Sequence, residues 1–146
     1  MYRFGTGSMN KLKRVHPMLV KVMTEAIKTS PFDFAITCGV RTIVQQQALY
    51  EKGRTKPGEI VTYADGIIKE SNHQIKADGY AYAVDLYPYI NGSIRREYGE
   101  YKYEVNAIAK HILKTAEKLG INIVWGGNWK TLFDSPHFEL RNKEFD

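Results

Sequence analysis

Two of the four histidines in this chain stand close to aspartates in segments whose neighbours are suited to burial. His73 follows Ser71 and Asn72 and precedes the stretch Ala77-Asp78-Gly79-Tyr80-Ala81-Tyr82-Ala83-Val84-Asp85-Leu86. Asp85 lies between Val84 and Leu86, and a carboxylate buried in such a segment is costly unless a cation or a metal satisfies it. His137 lies in Phe133-Asp134-Ser135-Pro136-His137-Phe138-Glu139-Leu140, with Asp134 three residues before it. Two histidines and one aspartate leave an open position on Zn²⁺ for water, which is the catalytic rather than the structural pattern. A carboxylate beside that water can take its proton and pass it to a leaving amine, and Asp134 is placed for that role. The ordinary alternative is a buried aspartate paired with an arginine or capping a turn, and a set this scattered also arises by chance.

The other two histidines read more plainly. His16 precedes Pro17 at a helix start, and His111 lies within an amphipathic stripe next to Ile112; each is expected to be a hydrogen-bonded structural side chain. Cys38, the only cysteine, excludes an intrachain disulfide and a multi-cysteine zinc site. Its place in Phe34-Ala35-Ile36-Thr37-Cys38 suggests a buried structural thiol.

The elements that must position these groups follow from periodicity. Leu19, Val22, Met23, Ala26 and Ile27 recur at helical steps, and Pro17 marks the first turn of a helix over about residues 16–29, with a short turn before it. Residues 32–40 read as a buried strand, and Thr42 as the cap of a helix through Tyr50 that Gly53 ends. Residues 54–72 carry Pro57, Gly58 and Gly66 with little periodicity and read as a long loop. A strand is expected over 80–87, a tight turn at Asn91-Gly92, and a helix from Val105 to Leu119 closed by Gly120. Strands over 121–125 and 137–140 flank a turn at Gly126-Gly127-Asn128. Helices interspersed with short strands predict an α+β fold, a small and mostly antiparallel sheet with flanking helices, as one domain over residues 1–146.

Composition agrees. The chain has 146 residues, 43% apolar and 12% aromatic, enough for one core. A net charge of +5 favours an anionic partner. Nucleic acid is not expected, because no clustered basic face, helix-turn-helix or RNP-like strand is present. No 18-residue apolar stretch exists, and no basic head with an apolar core and cleavage site opens the chain. Synthesis without an export signal and no stable membrane association are therefore expected.

Ser71-Asn72-His73, Ala83-Val84-Asp85-Leu86, Trp125-Gly126-Gly127-Asn128-Trp129 and Asp134-Ser135-Pro136-His137-Phe138-Glu139-Leu140 resemble the signature of the zinc D-alanyl-D-alanine carboxypeptidase and phage endolysin superfamily. Gly39-Val40-Arg41-Thr42 and the segments that follow to Gly58 are similar to the phage L-alanyl-D-glutamate endopeptidases within it. The resemblance implies a fold of the Hedgehog and DD-peptidase type with a zinc site at the sheet. It implies His73, Asp85 and His137 as zinc ligands, Asp134 as catalytic base and Arg41 as the group holding the carbonyl or oxyanion. Ser71, Tyr80, Tyr82 and Trp129 are the expected substrate contacts, with Trp125 a core residue. His73 and Asp85 are 12 residues apart, longer than the family spacing, so Gln74 to Tyr82 reads as an insertion and Asp78 stays open as a substitute ligand. The implied activity is that of a zinc endolysin, acting as a monomer on peptidoglycan stem peptides after a separate pore-forming protein releases it from the cytoplasm. A D-alanyl-D-alanine carboxypeptidase and a non-catalytic wall-binding module are the alternatives.

Overall fold

A computed structural model describes residues 1–141; the last five residues of the expected domain lie outside the described part. Helix α1 (Thr6–Lys11) is followed by α2 (Pro17–Thr29), whose first turn carries Pro17. His16 caps α2, its Nδ1 accepting from the Met18 amide at 3.1 Å. After β1 (Phe34–Cys38), α3 (Ile43–Glu51) opens with a reciprocal cap in which the Thr42 hydroxyl and the Gln45 side chain satisfy each other's backbone amides. A loop without helix or strand leads to β2 (Ala83–Ile90), which turns through Asn91 and Gly92, both at positive φ, into the two-residue β3 (Ser93–Ile94). Then come α4 (Tyr98–Leu119), β4 (Ile123–Trp125), one 3₁₀ turn over Gly126–Asn128, and β5 (His137–Leu140).

All strand pairs are antiparallel, in the order β1-β2-β5-β4 with β3 on the end of β2. The α+β expectation holds. Alternation along the strands sends Val84, Leu86 and Phe138 into one core with Leu19, Val22 and Met23 of α2 and Ile108 and Ile112 of α4. His111 ties the two helices together, Nε2 lying 3.0 Å from the Ala26 carbonyl oxygen and 3.1 Å from Thr29 Oγ1. Burial of this helix-facing surface drives the fold, and it leaves the other face of the sheet to carry chemistry.

Several boundaries differ from expectation. Helix α4 begins seven residues earlier, at Tyr98, because its first turns are polar and bend at Tyr101. Strand β2 begins at Ala83 rather than Tyr80: Ala81 instead bridges to Val15, and the Tyr82 amide donates to the Asn72 carbonyl. Tyr82 joins the ladder only through its carbonyl, which accepts from the Leu140 amide at 2.8 Å, so the alternation over 80–82 serves packing more than strand pairing.

Candidate active site

Three neighbouring strands put their side chains in one row. Register places Cys38 of β1 opposite Asp85 of β2, and Asp85 opposite His137 of β5. His73 reaches the same point from the loop before β2, held on three sides. Its amide donates to Ser71 Oγ at 3.1 Å, its carbonyl accepts from the Arg41 amide at 2.8 Å, and its Nδ1–H donates to the Gly39 carbonyl at 2.8 Å. Gly39 itself passes so close to the Lys11 carbonyl that a Cβ would not fit.

The polar atoms converge tightly. His73 Nε2 and His137 Nδ1 are 3.2 Å apart, and each is 3.4 Å from Asp85 Oδ1. Tetrahedral ligands at about 2.0–2.1 Å from a zinc ion stand roughly 3.3–3.4 Å from one another, so the triangle has the size of one face of such a site. Asp85 Oδ1 is buried and has no hydrogen-bond partner among the described residues. Each imidazole is also fixed in the tautomer that leaves the inward nitrogen with its lone pair. His73 donates through Nδ1 to Gly39, and His137 donates through Nε2 to Glu139 Oε1 at 2.8 Å. The side chains present therefore fit a metal ion. Cys38 with His73 and Asp85, and Asp85 with Asp134 and His137, also form groups compact enough to hold one.

Electrostatics follow from the crowding. Burial opposes charge on His73, yet the Asp85 carboxylate and the Cys38 thiol beside its ring hold its pKa up at about 10. Burial likewise opposes charge on Asp85, but the imidazoles of His137 and His73, each 3.4 Å from Oδ1, pull its carboxyl far below the usual range. Asp134 moves the other way, raised by burial and then by the negative charge of Asp85. Its Oδ2 lies 3.9 Å from His137 Nδ1, and its carboxyl is 42% exposed, so it faces solvent beside the cluster.

Arg41 also approaches Asp85, Nη2 lying 3.5 Å from Oδ2. Its Nη1 donates to Gln46 Oε1 at 2.8 Å, while Gln46 Nε2 donates to the Ala64 carbonyl. The fully buried Gln46 thus pins both Arg41 and the long loop. Trp129 stacks obliquely on His137 with ring centroids 5.1 Å apart.

Not every expected contact converges. Tyr82 is 2% exposed on the helix-packed side, donates to Asp78 Oδ2 at 2.6 Å, and packs edge-on against His16. Tyr80 lies against the same His16 ring. Neither faces the cluster, because strand alternation puts residue 82 on the side opposite residue 85. Asp78, engaged by Tyr82 and the Tyr80 amide, is not in the cluster either. Ser71 braces the His73 turn, and Trp125 is in the core, its indole donating to the Ser135 carbonyl. Cys38 departs from the expected inert thiol: Sγ is half-buried, 3.8 Å from His73 Nδ1 and from Arg41 Nη2.

Two residues of the site escape sequence reasoning. Glu139, 3% exposed, accepts from His137, from Asn72 Nδ2 at 2.9 Å and from Arg141 Nε at 2.6 Å. The His-x-Glu spacing puts 137 and 139 on the same strand face and could have flagged it. Gln46 lies in a run of three glutamines and carries no such signal.

An α+β domain in which two histidines and an aspartate converge, with a second carboxylate and a guanidinium beside them, has the layout of a hydrolase that acts on carbonyl compounds. The sequence profile of the phage L-alanyl-D-glutamate peptidase family matches residues 1–146, and the chain belongs to that family of peptidases. It is 36% identical over 138 residues to the peptidoglycan L-alanyl-D-glutamate endopeptidase CwlK of Bacillus subtilis (strain 168), covering 86% of this chain and 73% of that protein. To the L-alanyl-D-glutamate peptidase of Escherichia phage T5 it is 29% identical over 145 residues, covering 99% of this chain and 93% of the other. The crystal structure of the Serratia marcescens L-Ala D-Glu endopeptidase ChiX superposes with a TM-score of 0.75 at 28% identity, covering 99% of this chain and 93% of that one. Among the described residues no helix is long and apolar enough to cross a membrane.

Proposed function

We propose that this chain is a zinc-dependent endopeptidase that hydrolyses the L-alanyl-D-glutamate bond of peptidoglycan stem peptides, as one catalytic domain acting as a monomer. The observation that carries the proposal is the triangle of His73 Nε2, Asp85 Oδ1 and His137 Nδ1, whose edges of 3.2–3.4 Å suit one tetrahedral ion. Zinc held there would acidify a water and polarise the scissile carbonyl.

The chain's own groups do the rest. Asp134 takes the proton of the attacking water and returns it to the departing amine, and its raised pKa brings it closer to the working range of a general base. Arg41 donates to the oxygen on which charge develops. Gln46 and Asp85 hold the guanidinium in advance, so little reorganisation is needed during reaction. Trp129 walls the groove over His137, and Ser71 acts by shaping the turn that presents His73. Delivery to the wall through a lesion opened by a separate pore-forming protein belongs to the same proposal.

The test incubates purified protein with muropeptides of known structure, with a chelator and then with zinc restored, and identifies products by mass spectrometry. Chelator-sensitive cleavage between L-alanine and D-glutamate is the expected result. Release of a terminal D-alanine would make it a carboxypeptidase instead, and no cleavage by zinc-loaded protein would refute a catalytic role.

A further inference from the structure

Next to the cluster lies a cavity of about 700 Å³, between the end of α1, the exit of β1 and the inner side of α3. Its lining carries four cations, Lys11, Lys13, Arg41 and Lys52, against an apolar wall that includes Val40 and Leu49, and no acidic side chain. No described carboxylate stands within ion-pair distance of the three lysines, whereas Lys28 and Arg141 are paired with Glu25 and Glu139. Like charges gathered around one concavity repel, and the focused field favours an anion in it. Cys38 and Arg41 belong both to this lining and to the cluster, so the cavity is continuous with the reacting centre.

We propose that this cavity is a carboxylate-binding subsite that recognises the acidic groups of the substrate peptide, an assignment that rests on the peptidase reading above. The chemistry of the substrate requires such a place. A glutamyl residue has two carboxyl groups and only one can continue the chain, so the other remains free within a few bonds of the scissile nitrogen. One extended residue spans roughly 3.5 Å, so a bond held beside Arg41 delivers that carboxylate to the cavity mouth, with the lysines beyond it. Arg41 takes the carbonyl side of the reaction, and the lysines select the acidic neighbour.

Lys11, Lys13 and Lys52 are exposed, so their replacement leaves the core intact. One exposed ammonium–carboxylate contact is worth a factor of about two to five, and three at the low end of that range together give about tenfold. The experiment compares an L-alanyl-D-glutamyl peptide bearing the free carboxylate with the same peptide bearing a neutral amide there, for the wild type and for a combined K11Q/K13Q/K52Q variant. Wild type is expected to favour the acid by about tenfold in kcat/KM, mainly through KM and less so at high salt. The variant is expected to lose the preference while cleaving the amide at the wild-type rate. A retained preference, or an equal fall on both peptides, overturns the subsite. Cleavage of neither peptide by zinc-loaded wild type overturns the peptidase reading instead. The subsite is then decided by NMR: shifts of the Val40 and Leu49 amides with the acid and not the amide, lost in the variant, support it, and their absence refutes it.

Discussion

Replacing Glu139 by glutamine tests whether the ligand geometry is set from behind. Three donors converge on this carboxylate: His137 Nε2 on Oε1, and Asn72 Nδ2 and Arg141 Nε on Oε2. An amide of the same shape has one oxygen to offer. The charged Arg141 contact and the Asn72 contact together outweigh the single imidazole contact, since hydrogen bonds to charged groups contribute about 1.5–3 kcal/mol each. The amide oxygen therefore turns towards Arg141 and Asn72, and the NH₂ faces His137 Nε2. His137 must then accept at Nε2 and carry its proton on Nδ1, the atom that points at Asp85. Loss of a supporting partner typically costs 10–100-fold in metal affinity, and forcing the wrong tautomer puts Glu139→Gln near 100-fold, about 2.7 kcal/mol. Competition with a chromophoric chelator measures the affinity, and ¹⁵N shifts of the His137 ring report the tautomer. Affinity within about threefold of wild type, with Nδ1 still unprotonated, would refute the reasoning.

Asp134→Asn removes the proposed base without touching the triangle, so zinc should still bind while kcat falls about 10²–10⁴-fold; a matching loss of bound metal by elemental analysis would place Asp134 among the ligands. In the metal-free protein His73, raised to about 10, binds protons near neutrality, and His137 is raised in the same direction so that it holds them more firmly. Metal must displace them, so affinity should fall as pH falls, by about tenfold per unit for each proton released, and calorimetry in buffers of different ionisation enthalpy counts those protons. A folded pKa above the unfolded histidine value stabilises at low pH. The His73 contribution should be full below about pH 6.5 and disappear as pH rises to about 10, lowering the Tm of chelated protein across that window. Tyr82→Phe removes a hydrogen bond on the far side of the sheet and should cost about 1 kcal/mol in chemical denaturation while leaving cleavage unchanged; a slower enzyme of wild-type stability would return Tyr82 to the groove.

Helix α2 was legible because Pro17 and a regular apolar stripe agree, and the end of α4 because Gly120 takes the left-handed conformation that its type favours. Helix α1 was not: six residues with no apolar stripe hold their place by tertiary contact, the Ser8 hydroxyl accepting from the Ile36 amide at the open edge of β1. The tyrosines at 80 and 82 misled because alternation also arises where side chains pack around one ring, here that of His16, and not only where strands pair. At the site, His73, Asp85 and His137 could be singled out because a histidine or aspartate among buried neighbours demands a partner. The carbonyl of Gly39 and the amide of Gln46 could not, since a backbone acceptor has no residue type and a glutamine inside a helix looks like surface.

Register also separates folding from metal capture. Asp85 and His137 meet only when β2 pairs with β5, across 51 residues of intervening chain, and contacts so distant in sequence form late because loop-closure entropy must be overcome first. An ion at the proposed site would not seed this fold as it does a zinc finger, where ligands lie within a few turns. Its binding energy acts almost wholly on the finished native state, as RT ln(1 + [L]/Kd). Zinc should therefore slow unfolding in stopped-flow experiments and leave the refolding rate unchanged, and faster refolding with zinc would show the ligands meeting early. On the proposed metal site, a chain built this way would complete its fold without the ion and become armed afterwards, so that ion supply rather than folding would set when it begins to cut.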